Sequence, residues 1–192
     1  MKNQPRNPDP NLASAAWQDV LARGLQVFAY YHWWLLVKSN PLFAKDSNCI
    51  TIKNAALESS LMSIRDLDDF FTSSPSARPD DLIASDYGFP VGKNFLAAPE
   101  REAINKKLAH LTYRATHELH RDPLRQNPRT WNNVEMVNRS ISRLLEFLDH
   151  LKSSFFAENA EQIGMICSAR DLIQITMKNI NGIAQEEMDF IA

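Results

Sequence analysis

The stretch Arg101–Arg114, REAINKKLAHLTYR, joins a helical apolar seam to a concentration of polar groups that the seam does not need. Pro99 stands just before it at a first-turn position, where a missing N–H is harmless, and Glu100 and Glu102 favour the positive end of a helix. Ile104, Leu108, Leu111, Ala115 and Leu119 then recur at three- and four-residue spacing, until Asp122-Pro123 stops the helix. That seam makes the helix central to the fold.

Upstream, Asn11 is placed to cap a first helix running from Leu12 to about Lys38, with Trp17, Val20, Leu21, Gly24, Val27, Phe28, Tyr31, Trp34 and Leu35 on one stripe. Its second half adds Tyr30, Trp33 and Leu36, so it is apolar on more than one side. Such a helix is either covered by neighbours on several faces or supplies a dimer surface. Ser39–Lys53 breaks the pattern with Asn-Pro and a polar cluster and reads as a connector. Asn54 is then placed to cap a second helix reaching about Phe71, with Leu57, Leu61, Ile64, Leu67 or Asp68, and Phe71 as its seam. Arg65 and Asp69 form an i, i+4 pair on it. Asp66, Asp68 and Asp69 read as a solvated acidic edge. Positions 66 and 69 share a face, 68 does not, and no His or Glu stands at ligand spacing, so no metal is expected.

Residues 72–98 form the longest gap, in which Leu82, Ile83, Tyr87 and Phe89 are expected to fold back over the helices with one helical turn. Beyond the opening stretch, Thr130 or Asn132 starts a long amphipathic helix with Val134, Val137, Ile141, Leu144, Leu145, Leu148 and Leu151. Glu158–Phe190 continues through Ile163, Ile166, Leu172, Ile175 and Ile180, with Gly164 and Gly182 as weak points, as one helix or two. No strand-period segment, glycine-rich phosphate loop, GxSxG or HExxH competes. The expectation is an all-α antiparallel bundle of about five helices, with a long loop between the second and third.

Composition bounds the rest. The 192 residues suit one core, read as a flexible arm at 1–10 and a single helical domain at 11–192. A net charge of -2 lacks the basic footprint of a dedicated duplex binder. Cys49 and Cys167 are far apart and outside any zinc spacing, so a reducing, cytoplasmic setting and no cofactor are expected. The N-terminal MKNQPRNPDP is polar and proline-rich, unlike a signal peptide, and the apolar run Leu25–Val37 falls short of the ~20 residues a membrane span needs.

On the third helix, His110, Arg114, His117 and Arg121 fall along one side at i, i+4, i+7 and i+11, while Arg101, Asn105 and Thr112 make a second row on the other flank of the seam. Imidazoles and guanidiniums on one face can bind phosphate, and a histidine there can act as general acid or base. The alternative is a solvated basic face paired with Glu118 and the acidic second helix.

The segment Asn105-Lys106-x-x-Ala109-His110-Leu111-Thr112, with Arg101 one turn upstream, resembles one found in a group of bacterial helical proteins similar to the HEPN superfamily. Arg65–Phe71 (RDLDDFF) and the run Asp80-Asp81-x-x-Ala84-Ser85-Asp86 also resemble that group's second helix and following loop. The resemblance implies a bundle that commonly dimerises. In many members it also implies an RNA-cleaving site of Arg, four to six residues, then His, used in toxin and defence systems, whereas other members only bind nucleotides or partners. Here the arginine positions before His110 hold Ala103, Ile104 and Asn105. Arg101 lies about 180° around the helix from His110 and some 13 Å along it. The motif spacing does occur at Arg114/His120 and Arg143/His150, but the chain's arginines and histidines produce about one such spacing by chance. The expectation is a HEPN-like homodimeric module with a degenerate ribonuclease motif, binding RNA or a nucleotide through Arg101, Asn105 and His117. The alternatives are an active metal-independent ribonuclease using His110 and Arg114, and a structural interaction protein with no pocket.

Overall fold

Pro10 occupies the first position of a helix that runs unbroken to Ser39 (α1, Pro10–Ser39), so the first helix starts one residue ahead of its expected cap. The computed structural model describes residues 10–43, 46–72, 81–105 and 133–191, and residues 1–9 of the expected arm lie outside it. Four more helices follow, α2 (Ser47–Thr72), α3 (Ala98–Ile104), α4 (Asn133–His150) and α5 (Ala160–Ile191), with a 3₁₀ turn at Ala84–Tyr87 and a π turn at Leu151–Phe155. No strand occurs among the described residues, and the all-α bundle is observed as expected. Of the opening stretch, only residues 101–105 are described, with Ile104 fully buried.

Helices α1 and α2 form an antiparallel hairpin, and α2 begins well before Asn54. The segment read as a connector is helical from Ser47, because Asp46 Oδ1 accepts from the backbone N–H of Asn48 (2.8 Å) and Cys49 (2.9 Å) and so caps the first turn. Those bonds lower the Asp46 pKa, that from Cys49 most. The two β-branched isoleucines, Ile50 and Ile52, stay exposed there and demand no sheet partner. Further along, Ser60 Oγ donates to Val27 O at 3.1 Å, tying the hairpin together below its turn.

The α1 stripe Ala13, Trp17, Val20, Val27, Phe28, Tyr31 and Leu35 enters one core with α2, α4 and α5. Its second apolar side, Tyr30, Trp33 and Leu36, is left exposed. Phe147 of α4 sits fully buried among four rings. Phe70 and Phe71 of α2 and Tyr87 and Phe89 of the loop meet it at centroid distances of 5.2, 5.7, 5.2 and 5.4 Å, all edge-to-face. The expected fold-back of the long loop is therefore real. Gly88, at φ 71°, makes the turn after the 3₁₀ segment, a conformation that costs a side-chain-bearing residue about 1 kcal/mol or more. The Tyr87 hydroxyl donates to Ala13 O (2.9 Å), and burial pushes its pKa well up, with Asp86 and Asp19 adding to the shift.

The last third is one helix. Its buried row is Ile166, Ala169, Ile173 and Ile180, whereas Leu172 and Ile175, expected inside, are exposed. Gly164 and Gly182 face open space, so they weaken α5 only by backbone freedom. Trp17 Nε1 donates to Gln162 Oε1 at 2.9 Å and joins α5 to α1.

Where α1 crosses α4, an added Cβ at Gly24 would lie 2.1 Å from Leu144 Cδ2, and Leu144 is fully buried. Overpacking costs about 1–3 kcal/mol, and the gain in helix propensity returns about 1. We expect Gly24→Ala to lower stability by about 1 kcal/mol in urea titrations, despite its being a helix-favouring change.

Candidate functional site

Asp68 is fully buried, so the expected solvated acidic edge is not what forms. The carboxylate accepts at Oδ1 from the backbone N–H of Phe95 (2.9 Å) and Leu96 (3.2 Å), and at Oδ2 from Asn94 Nδ2 (2.9 Å) and the Arg101 guanidinium. A second Arg101 nitrogen bonds Asp69, which also pairs with Arg65 at 3.7 Å. Burial works against the Arg101 charge, but its bonds to Asp69 and Asp68 outweigh that and raise its pKa. Asp66 turns another way, toward Arg23 at 3.6 Å, and its pKa is raised mainly by partial burial. Asp68 and Asp69 thus share Arg101 while Asp66 pairs with Arg23, and no group able to hold a metal ion occurs among the described residues.

A second polar constellation runs along α4. Arg139, Arg143 and His150 stand at i, i+4 and i+11, on the side facing the loop. Each meets a backbone carbonyl of that loop. Arg139 donates to Phe95 O (2.6 Å), Arg143 to Pro90 O (2.9 Å), and His150 Nε2 to Tyr87 O (2.9 Å). A carbonyl oxygen only accepts, so Nε2 carries a proton in this contact. The loop has no ladder of its own to satisfy these groups, and the row from α4 supplies one. Arg143 also lies over Phe89 (4.4 Å to the ring centroid), and an added Cβ at Gly92 would come within 2.5 Å of its guanidinium. Arg139 further bonds Glu100 (2.6 Å), whose other oxygen accepts from Ala97 N–H (2.7 Å) at the start of α3.

Between this row and residues 92–95 lies an open groove of about 570 Å³, lined by Lys93, Asn138, Ser142, Arg139, Arg143 and Glu146, among others. It carries both signs of charge. Arg143 is held to Glu146 at 2.6 Å on its outer side, so the guanidinium at the groove's mouth is already neutralised.

Among the residues singled out in the sequence, Arg101 is partly exposed and tied to the buried Asp68 and the half-exposed Asp69. Asn105 is half-buried at the end of α3, and its Oδ1 has no hydrogen-bond partner among the described residues. His110, Arg114 and His117 lie outside the described residues, as do the rest of that basic stripe and the seam from Leu108 to Leu119. Arg143 and His150 are brought to one face, both against Phe89, whose ring centroid is 5.4 Å from the imidazole. Arg139 escaped notice in the sequence. Its only signal was the four-residue spacing ahead of Arg143.

No protein-family model, curated protein or solved structure matches this chain.

Two predictions follow the hydrogen bonding. Asp68→Ala leaves the N–H groups of Phe95 and Leu96 and one nitrogen of the Arg101 guanidinium unmatched and is expected to cost about 3–5 kcal/mol, with Asp68→Asn somewhat less. Asp69→Asn, at a half-exposed position, is expected to cost under about 1 kcal/mol; chemical denaturation of the three variants checks the order. Arg143→Ala frees Pro90 O and uncovers Phe89, so limited proteolysis is expected to cut residues 88–94 faster than in the parent, while the rest of the chain keeps its pattern.

Proposed function

We propose that this protein is a HEPN-like helical module that binds or regulates and does not cleave. It acts as a cytoplasmic homodimer in a toxin or defence setting, with RNA or a nucleotide as its ligand class. The observation that carries the reading is that Arg101, Arg139, Arg143 and His150 are all bonded within the chain, to carboxylates or loop carbonyls. A ribonuclease needs a guanidinium free to meet phosphate charge and an imidazole free to move a proton. The positions from which the motif would supply an arginine to His110 hold Ala103, Ile104 and Asn105. Arg101 of a second copy is a poor substitute, because withdrawing it leaves the Asp68 charge buried and uncompensated.

The competing reading keeps His110 as acid/base and Arg114 as the phosphate-stabilising group. It is separated from ours by incubating the purified full chain with single-stranded and hairpin RNA in the presence of a chelator. We expect intact RNA from the wild type, His110→Ala and Arg114→Ala alike. Cutting by the wild type that His110→Ala abolishes sinks the binding-module reading. A third reading, a purely structural protein, turns on whether a polar pocket lies next to His110, outside the described residues; RNA or nucleotide that fails to bind at all in a fluorescence titration favours it.

A further inference from the structure

Leu12, Ala15, Asp19, Ala22, Gln26, Ala29, Trp33 and Leu36 of α1 recur at alternating spacings of three and four, all exposed except the half-buried Gln26. That is the period of a helix-packing seam, and it lies on the side of α1 that the core does not use. Trp33 is 59% exposed and Leu12 65% exposed, and at the hairpin turn Leu42 is 82% exposed with Phe43 beside it. From Ala22 to Leu36 the seam carries no charged residue, and the neighbouring Arg23 pairs with Asp66 while also donating to Gln26 Oε1 of the seam (3.1 Å). A solvated helix face of four turns normally carries Lys or Glu, and a nucleic-acid face carries cations. This one fits neither.

Resting on the homodimeric reading above, we infer that the partner is a second copy of this chain, packed α1 against α1, antiparallel, about a two-fold axis passing between Val27 and Phe28. The argument is self-complementarity. In that register Trp33 of one copy faces Ala22 of the other, and Gln26 faces Ala29, so each large side chain meets a small one. Phe43 at the hairpin turn comes level with Leu12, so the isolated apolar groups at opposite ends of the seam cover each other. Asp19, the one carboxylate in the seam, falls opposite Leu36 with Lys38 of that copy two residues further on. The size also fits. Leu12, Tyr30, Trp33, Leu36, Leu42 and Phe43 together expose roughly 700 Å², close to the ~800 Å² one partner contributes to a stable complex.

Sedimentation equilibrium on the full chain tests this. We expect a dimer for the wild type at micromolar concentration and a more than about thirtyfold weaker dimer for Trp33→Glu, with an unchanged helical circular-dichroism spectrum because Trp33 is outside the core. The register is read by cross-linking in a Cys49→Ser/Cys167→Ser background. Ala22→Cys chains and Trp33→Cys chains are expected to stay free of intermolecular disulfides on oxidation when alone and to form a disulfide-linked dimer when mixed. A dimer that Trp33→Glu leaves intact overturns this surface while the homodimeric reading stands. A monomeric wild type overturns both. A monomeric wild type whose tryptophan emission shifts on phosphatidylcholine vesicles would assign the face to lipid and overturn the proposal.

Discussion

A carboxylate with no access to water must have its lone pairs met by donors, and Asp68 meets that demand by collecting three stretches of chain around itself. Its own helix, α2, supplies the acid. Residues 94–96 supply two backbone N–H groups and an amide, and α3 supplies Arg101. The cost of an unmatched buried charge is several kcal/mol, comparable with the net stability of a domain this size. That cost fixes where the loop re-enters the bundle and where α3 begins. The α4 row then holds the preceding part of the loop by its carbonyls, and Phe147 holds it by its rings.

The two sets of contacts share a logic. Residues 81–97 contain only one short helical turn, so most of their backbone groups have no partner within the segment. Asp68 takes N–H groups and the Arg139/Arg143/His150 row takes C=O groups, one from each side. A strand would have given the same satisfaction by pairing. Here the side chains of two helices do it, and cationic residues that resemble a phosphate site in sequence are the result. The functional reading follows directly. Side chains that complete a fold are not free to complete a reaction.

The same distinction separates the two faces of α1. Its inner stripe is occupied by α2, α4 and α5, while its outer seam has the spacing and apolarity of a packing surface with no occupant among the described residues. Binding that leaves the core untouched is compatible with a rigid clamp around Asp68, because the two surfaces lie on different elements.

Much of the fold was legible in local pattern. Apolar periodicity located α1, α2, α4 and α5, since a helix that buries one side must repeat its apolar residues every three or four positions. Proline and acidic residues before Arg101 marked the start of α3. Periodicity does not say which of two apolar rows turns inward, so Leu172 and Ile175 were expected inside and Ile173 was overlooked. Nor does it read a cap such as Asp46 among other polar residues, which is why the start of α2 was missed. The sequence by itself determined the all-α class and the helix-forming segments, because these depend on neighbours a few residues away. Only the tertiary structure decided the fates of Asp68, Arg101, Arg143 and His150. Whether a charged side chain is a solvated edge, a ligand group or a buried tie depends on what stands opposite it, and for Asp68 those partners lie some thirty residues along the chain.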